Sequence, residues 1–353
     1  LVMKPTYLNE ILEQPKIIGN IPSQFDASIF KDIENLKNQI DQKNIDQIIV
    51  TGMGGSLYSS YPLYIFLNTY INLPISIWDC SELIQQAKNI ITNKTIIIAT
   101  SQSGESIELI RLTELKQKPK ISISITNLKN NFLSNWSDIS IFTNAGSEST
   151  VSSKTYTGGC AAHYILGCAL IKKKDKAISE IKNISKKIES CLNNWKKNID
   201  SVAEFIEPIH NLTFIGRGIS YSSANYASLI TTEASKLHSI GLSGGQFRHG
   251  PIELVDKGFS CVIFLGSQKN AILNKKLSND IAKLGGKCIL LACENIKIEE
   301  SPNIKVLKFP IIEENLYPIM EVIPLQLIQI PFSKKRGFDP AKFNNANKIT
   351  TIE

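Results

Sequence analysis

Histidine is scarce in this chain, at four of 353 residues, and no four-ligand Cys/His pattern of a structural zinc site is present. The seven cysteines are an odd number, scattered through apolar stretches, with no Cys-x-x-Cys pair. A disulfide framework is therefore excluded, and the thiols read as reduced core residues of a cytoplasmic protein. Long apolar runs are missing as well. No segment approaches the roughly 18–20 apolar residues needed to span a bilayer, and the N-terminus has no signal-peptide pattern, so no membrane partner is expected. Lys and Arg number 39 against 32 Asp and Glu, a mild excess of +7 with no block resembling a nucleic-acid-binding arm. The densest basic stretch, Lys172 to Lys174 with Lys186 and Lys187, lies in helix-like sequence and reads as a solvated face. The excess suits a small anionic ligand without requiring one.

What is present is globular: 42% hydrophobic and 20% charged residues, over a length that calls for two domains. Short runs rich in Ile and Val, each followed by a Gly/Ser turn and a helical stretch, mark strands. In the first half they are Gln47–Thr51, Ile75–Asp79, Thr95–Thr100, Ile121–Thr126 and Asp138–Thr143. In the second they are Leu212–Gly216, Ser260–Leu265, Lys287–Ala292 and Ile304–Phe309. Continuous apolar strands alternating with helices predict parallel sheets covered on both faces. The halves also echo one another. Ile48 to Gly54 resembles Leu212 to Gly218 at an offset of 164, and Ile96 to Gln102 resembles Cys261 to Gln268 at 166, which points to an internal duplication. Between them, 171–205 reads as a linking helix, and the polar tail from Ser333 as an extended arm.

The strand Thr95–Thr100 runs into Ser101-Gln102-Ser103-Gly104-Glu105-Ser106 and then a helix from about Ile107. Hydroxyls, a glycine and free N–H groups at the carboxyl end of a parallel strand suit a phosphate, although serines there also serve as plain helix caps. The duplication favours the phosphate, because the second copy keeps Ser267-Gln268 and loses the remaining serines. The loop Gly52-Met53-Gly54-Gly55-Ser56, with Asp79 ending the next strand, invites a dinucleotide reading, but Leu57 stands where the third glycine is required. Gly52, Gly54 and Ser56 fit better as a wall of a monophosphate or sugar pocket. In the second half, Tyr221–Leu237 reads as a helix containing Glu233, and His249 precedes Gly250-Pro251 at a loop-like break. A carboxylate and an imidazole can divide proton transfer at carbon and oxygen. His163 and His210 have no companions and read as core or surface histidines.

Taken in order, these motifs resemble the tandem sugar isomerase (SIS) family, in particular the isomerase half of glucosamine-6-phosphate synthase and its stand-alone relatives. The resemblance runs from Asn9-Glu10-Ile11-Leu12-Glu13-Gln14-Pro15 through Ser56 and the serine motif. It continues through Ala145-Gly146-Ser147-Glu148, Ser152-Ser153-Lys154-Thr155-Tyr156-Thr157, Gly216-Arg217-Gly218, Glu233 and His249-Gly250-Pro251 to Lys348-Ile349-Thr350-Thr351-Ile352-Glu353. It implies an α/β fold of two tandem SIS domains, each a parallel five-stranded sheet sandwiched by helices in flavodoxin-like αβα fashion. The expected organisation is an N-terminal arm or helix at 1–21, a first SIS domain at 22–175 with the serine loop, and a linker helix at 176–200. A second SIS domain at 201–332 would carry the Glu and His, and a tail at 333–353 would close the site.

Carried over residue by residue, the resemblance gives Ser56, Ser101, Gln102, Ser103, Ser106 and Ser152 to the phosphate and sugar hydroxyls. It implies that Glu233 moves a proton between C1 and C2 of an open-chain sugar phosphate. It further implies that His249 assists ring opening across a homodimer interface and that Lys348 closes over the sugar. The partner implied is a phosphorylated sugar or amino sugar, with the groups converging from both halves and from two subunits. Neither metal nor cofactor is implied, since an enediol or enolamine can form by carboxylate proton transfer alone. The departures have chemical meaning. No glutaminase domain or N-terminal cysteine nucleophile is present, so ammonia release from glutamine is not expected. The synthase's lysine three residues before the catalytic Glu is here Ile230, the segment from Glu148 to Lys154 is one residue short, and the tail lacks the usual arginine. An isomerase, deaminase or deglycase is thereby favoured over full synthase chemistry. The alternatives are a non-catalytic sugar-phosphate sensor, disfavoured by Glu233 and His249, and a nucleotide-dependent enzyme, disfavoured by Leu57.

Overall fold

A computed structural model describes residues 6–352. The first half contains α1 (Tyr7–Asn20), α2 (Ala27–Asp41), β1 (Gln47–Gly52), α3 (Gly54–Tyr70), β2 (Ile75–Asp79), α4 (Cys80–Gln86) and β3 (Thr95–Thr100). It continues through α5 (Ile107–Glu114), β4 (Ile121–Thr126), α6 (Phe132–Trp136), β5 (Ile139–Phe142) and α7 (Lys154–Leu170). The long α8 (Lys174–Ile206) follows, then β6 (Asn211–Gly216), α9 (Ser220–Ser235), β7 (His238–Ser243), α10 (Gly244–Arg248) and β8 (Ser260–Phe264). The chain ends with α11 (Gln268–Lys283), β9 (Lys287–Cys293), β10 (Ile304–Phe309) and α12 (Tyr317–Lys335), followed by a tail of turns.

Two compact units result. One takes Glu13–Glu148, Lys154–Ser185 and the described residues from Asn345; the other takes the described residues up to Leu12, Ser149–Ser153 and Lys186–Asn344. In the first unit the sheet order is β2-β1-β3-β4-β5, every pair parallel. In the second it is β10-β9-β8-β6-β7, again wholly parallel. Numbered within its own half, the second order is the first read backwards. The sequence echoes are therefore copies of one topology, the doubly wound α/β sheet expected.

The central strands explain the apolar runs. Every residue of β3 and of β8 is buried, as a strand covered on both faces requires. Each sheet reverses its winding between the strand that opens the copy and its third strand, β1 beside β3 and β6 beside β8. Ligands of open α/β sheets bind outside the carboxyl ends of strands at such a reversal. One face of each sheet is covered by a helix pair, α3 on α7 and α9 on α12. Gly159 permits the first pairing, since a Cβ there would lie 2.9 Å from Ser59 Oγ.

Local differences from the sequence reading have identifiable causes. The Glu233 helix ends at Ser235 and not at Leu237, because Lys236 adopts a left-handed conformation (φ +51°) that stops it. The residues behind it form β7, a strand absent from the expected set. Its sequence His-Ser-Ile-Gly-Leu-Ser is half polar and includes a glycine, and it lies at the sheet edge with no residue fully buried. Gly241 is required there because a Cβ would fall 2.8 Å from Asn225 Cα. The linking helix begins at Lys174, and α12 continues to Lys335, so the tail becomes irregular only after that residue. All seven cysteines are free, six of them buried.

Candidate functional site

In the first unit, β1 and β3 end side by side, and Gly52 makes this possible: a Cβ there would sit 2.7 Å from the Thr100 carbonyl. Beyond β3 the chain is pinned at each step. Ser101 N donates to Ile125 O (3.1 Å), and Gln102 O accepts from Asn127 N (3.1 Å). Gly104 takes φ +69°, and an added Cβ would lie 2.0 Å from Asn131 Oδ1. The loop is thus a fixed curl that only glycine can complete at that position.

The hydroxyls inside this curl are used in one sense only. Ser101 Oγ accepts from Gly104 N (3.0 Å), Ser103 Oγ from Glu105 N (3.1 Å), and Ser56 Oγ, on the first turn of α3, from Gln102 N (3.2 Å). Each O–H proton remains available to an acceptor. Ser106 stands at the N-cap of α5, yet its hydroxyl makes no cap bond. The plain-cap reading of this serine therefore fails, although Ser101 and Ser103 do support loop N–H groups.

The segment around Lys348 and Thr350 reaches this loop. Ile107 N, the first of α5, donates to Thr350 O (3.1 Å). Lys348 Nζ donates to the Glu148 carbonyl (2.6 Å) and lies 3.4 Å from its carboxylate. That carboxylate is buried and accepts from Thr155 N (3.0 Å) and Thr155 Oγ1 (2.7 Å). Asp79, a potential ribose anchor in a dinucleotide reading, is occupied otherwise: its Oδ1 accepts from Ser81 N (2.9 Å) and Glu82 N (3.2 Å) as the N-cap of α4. His163 is a core histidine, its Nε2 2.9 Å from Thr100 Oγ1, and burial lowers its pKa to about 3, so the ring is neutral.

In the second unit, Glu233 lies half-buried on the last turn of α9. Lys236 folds back to donate to the Glu233 carbonyl and to Lys342 O (2.8 Å), and burial lowers its pKa. Ile230, one turn before Glu233, is fully buried, so no side chain from that position reaches a ligand. Tyr226 is two turns before Glu233 and hence on the same helix face. Its hydroxyl donates to Ser152 O (2.8 Å) and accepts from Gln326 Nε2 (2.8 Å). Ser152 is thereby fixed against the helix that carries Glu233, and its own Oγ is buried without a partner. His249 follows α10 and is exposed; Gly250 (φ +145°) and Pro251 hold the chain in the abrupt turn behind it. His210 is exposed.

The structure thus groups Ser56, Ser101, Gln102, Ser103, Ser106 and Lys348 in one unit, and Ser152, Glu233 and His249 in the other. One notable group escaped the sequence reading. Glu321, inside the apolar helix α12, is fully buried and accepts from Ser220 Oγ (3.0 Å) and Ser223 Oγ (2.8 Å). Burial raises its pKa to about 7, against the lowering effect of the two hydroxyls. A lone carboxylate in the run from Tyr317 to Ile330 was the available signal.

The SIS domain model matches twice, over residues 40–170 and 205–332. The glutamine–fructose-6-phosphate aminotransferase (isomerizing) of Clostridium acetobutylicum is 30% identical, over 98% of this chain and 59% of its own length. The corresponding Pyrococcus horikoshii enzyme is 28% identical, and the chain spans 57% of it. The chain therefore covers little more than half of these curated relatives. Among solved structures, the C-terminal domain of glucosamine-fructose-6-phosphate aminotransferase from Francisella tularensis superposes with a TM-score of 0.85. It is 26% identical, and the match covers 96% of this chain and 98% of that one. With two matched domains, two copies of one parallel topology and a serine loop at the winding reversal of the first, the chain belongs to the SIS domain family.

Proposed function

We propose that this protein acts on a 6-phosphorylated amino sugar or related sugar phosphate, by aldose–ketose isomerisation or by coupled deamination or deglycation. The observation that carries the proposal is the serine curl: Ser56, Ser101 and Ser103 each accept a backbone N–H and keep a proton to donate, and Ser106 is unused by its helix. A dianionic phosphoryl group needs several such donors in a fixed concave array. In this reading these serines and Gln102 hold the phosphate, and Ser152 and Lys348 bind the sugar. His249 assists ring opening, in a homodimer with shared sites.

Glu233 removes the proton from C2 of the opened aldose and returns it to C1, through an enediol or, for a 2-amino sugar, an enolamine. In the second case the C2 imine that results is hydrolysed by water to the ketose and ammonia. The buried Ile230 supports isomerase or deaminase chemistry over synthase chemistry, because no amine stands there to handle a ketose. The relatives named for glutamine–fructose-6-phosphate aminotransferase activity support a 6-phosphorylated substrate of this class.

The test is a panel of 6-phosphorylated sugars, including glucosamine 6-phosphate and fructosamine adducts, followed for isomerisation and for ammonia or amine release. Glu233→Gln is expected to abolish turnover and leave binding within a few-fold. Unchanged activity in that variant, or no turnover of any member by the unaltered protein, overturns the enzymatic reading.

A further inference from the structure

The second copy keeps the topology of the first but equips its winding reversal differently. Where the first copy has Met53 between two glycines, the second has Arg217, between Gly216 and Gly218. The carboxyl end of β6 carries Gly216-Arg217-Gly218 and the neighbouring end of β8 carries Gly266-Ser267. The serine-loop reading leaves this second position without a role.

The side chains there form an arrangement of donors. Arg217 Nε donates to Asn274 Oδ1 (2.9 Å), and Asn274 is itself held by Nδ2 to Phe264 O (2.9 Å). The guanidinium plane lies over the backbone of Gly244, where a Cβ would approach Nε to 2.7 Å. Its direction is therefore fixed, and among the described residues neither Nη group has a hydrogen-bond partner and no carboxylate pairs with it. Burial, and after it the neighbouring guanidinium of Arg248, lowers its pKa. Arg248 itself pairs with Asp280 (2.7 Å).

Asn270 lies one turn before Asn274 on α11, on the same helix face. Its Nδ2 is 3.1 Å from the Cβ position of Gly218 and 3.6 Å from that of Gly266, so the amide spans both loops. Among the described residues neither this amide nor the Ser267 hydroxyl has a hydrogen-bond partner, and Ser267 stands at the N-cap of α11 without capping it. A fork held by one nitrogen in the loop after β6, and an amide and a hydroxyl at the start of α11, thus lie at the carboxyl ends of adjacent strands of a parallel sheet. Arginine's two Nη groups match two oxygens of a phosphoryl group.

We propose that this place is a second anion site, separate from the serine loop, which binds the phosphoryl group of a phosphate monoester through Arg217, Asn270 and Ser267. The ester's remainder leaves past Gln268 and Lys269, which are exposed. Ser220 and Glu321 close the floor, since Ser220 Oγ is 3.5 Å from the Cβ position of Gly266 and donates to Glu321. The site does not depend on the proposed reaction.

The test is calorimetric titration of inorganic phosphate, and separately of glycerol 3-phosphate, into the Ser103→Ala/Ser106→Ala protein, which isolates the second site. Both are expected to bind, with the ester at least as tight as the free ion. Arg217→Gln should raise both dissociation constants at least tenfold. Asn270→Asp should do the same and is the safer fold, because an acidic residue in the first turn suits a helix N-terminus. Phosphate binding unchanged within twofold in both variants overturns the proposal, as does the absence of binding at millimolar concentration in the serine variant. Binding of the free ion with exclusion of the ester overturns the monoester assignment.

Discussion

Replacing Glu321 with Gln should make the α9–α12 pair more stable above neutral pH and remove most of the pH dependence of its stability. The carboxyl group is fully buried between Ser220 and Ser223, and its pKa is raised from 4.5 to about 7. Between those two values the folded protein holds a proton that the unfolded chain has released. Unfolding then gives up that proton, so stability is fully present below pH 4.5 and declines as pH rises through about 7. A displacement of this size corresponds to about 3 kcal/mol, or about three-hundredfold in the opening equilibrium across the whole range, of which most falls between pH 5 and pH 8. Glutamine keeps the shape and an acceptor for one hydroxyl, its amide can donate to the other, and it does not ionise. Native-state hydrogen exchange of α12 amides, corrected for intrinsic rates, reads the local opening free energy directly. Protection in the natural protein should fall by up to two orders of magnitude from pH 5 to pH 8, and Glu321→Gln should hold it nearly level. A difference between the two proteins that does not change with pH refutes the reasoning.

Other perturbations probe separate parts of the chain. His163 has the opposite sign: its folded pKa of about 3 lies below the free value of 6.5, so it favours the folded state above pH 6.5, an effect lost as pH falls towards 3. His163→Gln should reduce the loss of thermal midpoint between pH 7.5 and pH 5, and an unaltered slope would count against a neutral buried ring. Gly104→Ala must hold φ +69° and displace Asn131 from its cap on α6, at a cost of about 2–4 kcal/mol. Phosphosugar binding should weaken at least tenfold in that variant, measured by calorimetry. Asp79→Ala removes the N-cap of α4 and should lower stability by about 1 kcal/mol with sugar-phosphate binding within twofold; a large binding loss would restore a ligand role for Asp79.

The sequence was most transparent where burial is greatest. β3 and β4 are isoleucine-rich runs filled out by alanine, serine and threonine, and both strands match the expected bounds. β7 was hidden because an edge strand carries little apolar signal and its glycine answers to a helix approaching from one side. The serine loop was legible as a motif, but its chemistry was not: only coordinates separate Ser101, whose hydroxyl supports the Gly104 amide, from Ser106, whose hydroxyl makes no cap bond. Arg217 was visible as part of a Gly-x-Gly echo, whereas its partner Asn274 lies 57 residues away and had no local mark. Contacts of that kind depend on which helix face the sheet selects, and periodicity alone does not fix that.

The bond from Ile107 N to Thr350 O makes one proton at the serine loop an indicator of the distant segment around Thr350. The next helical amide with an assigned partner, Ile110 N, is bonded within the helix to Ser106 O and keeps that partner whatever the tail does. Ile107 depends on a carbonyl 243 positions further along the chain. Its exchange rate, or its chemical shift, therefore measures directly how much of the time the segment around Thr350 is docked. A substitution that undocks Thr350 should register first at this amide.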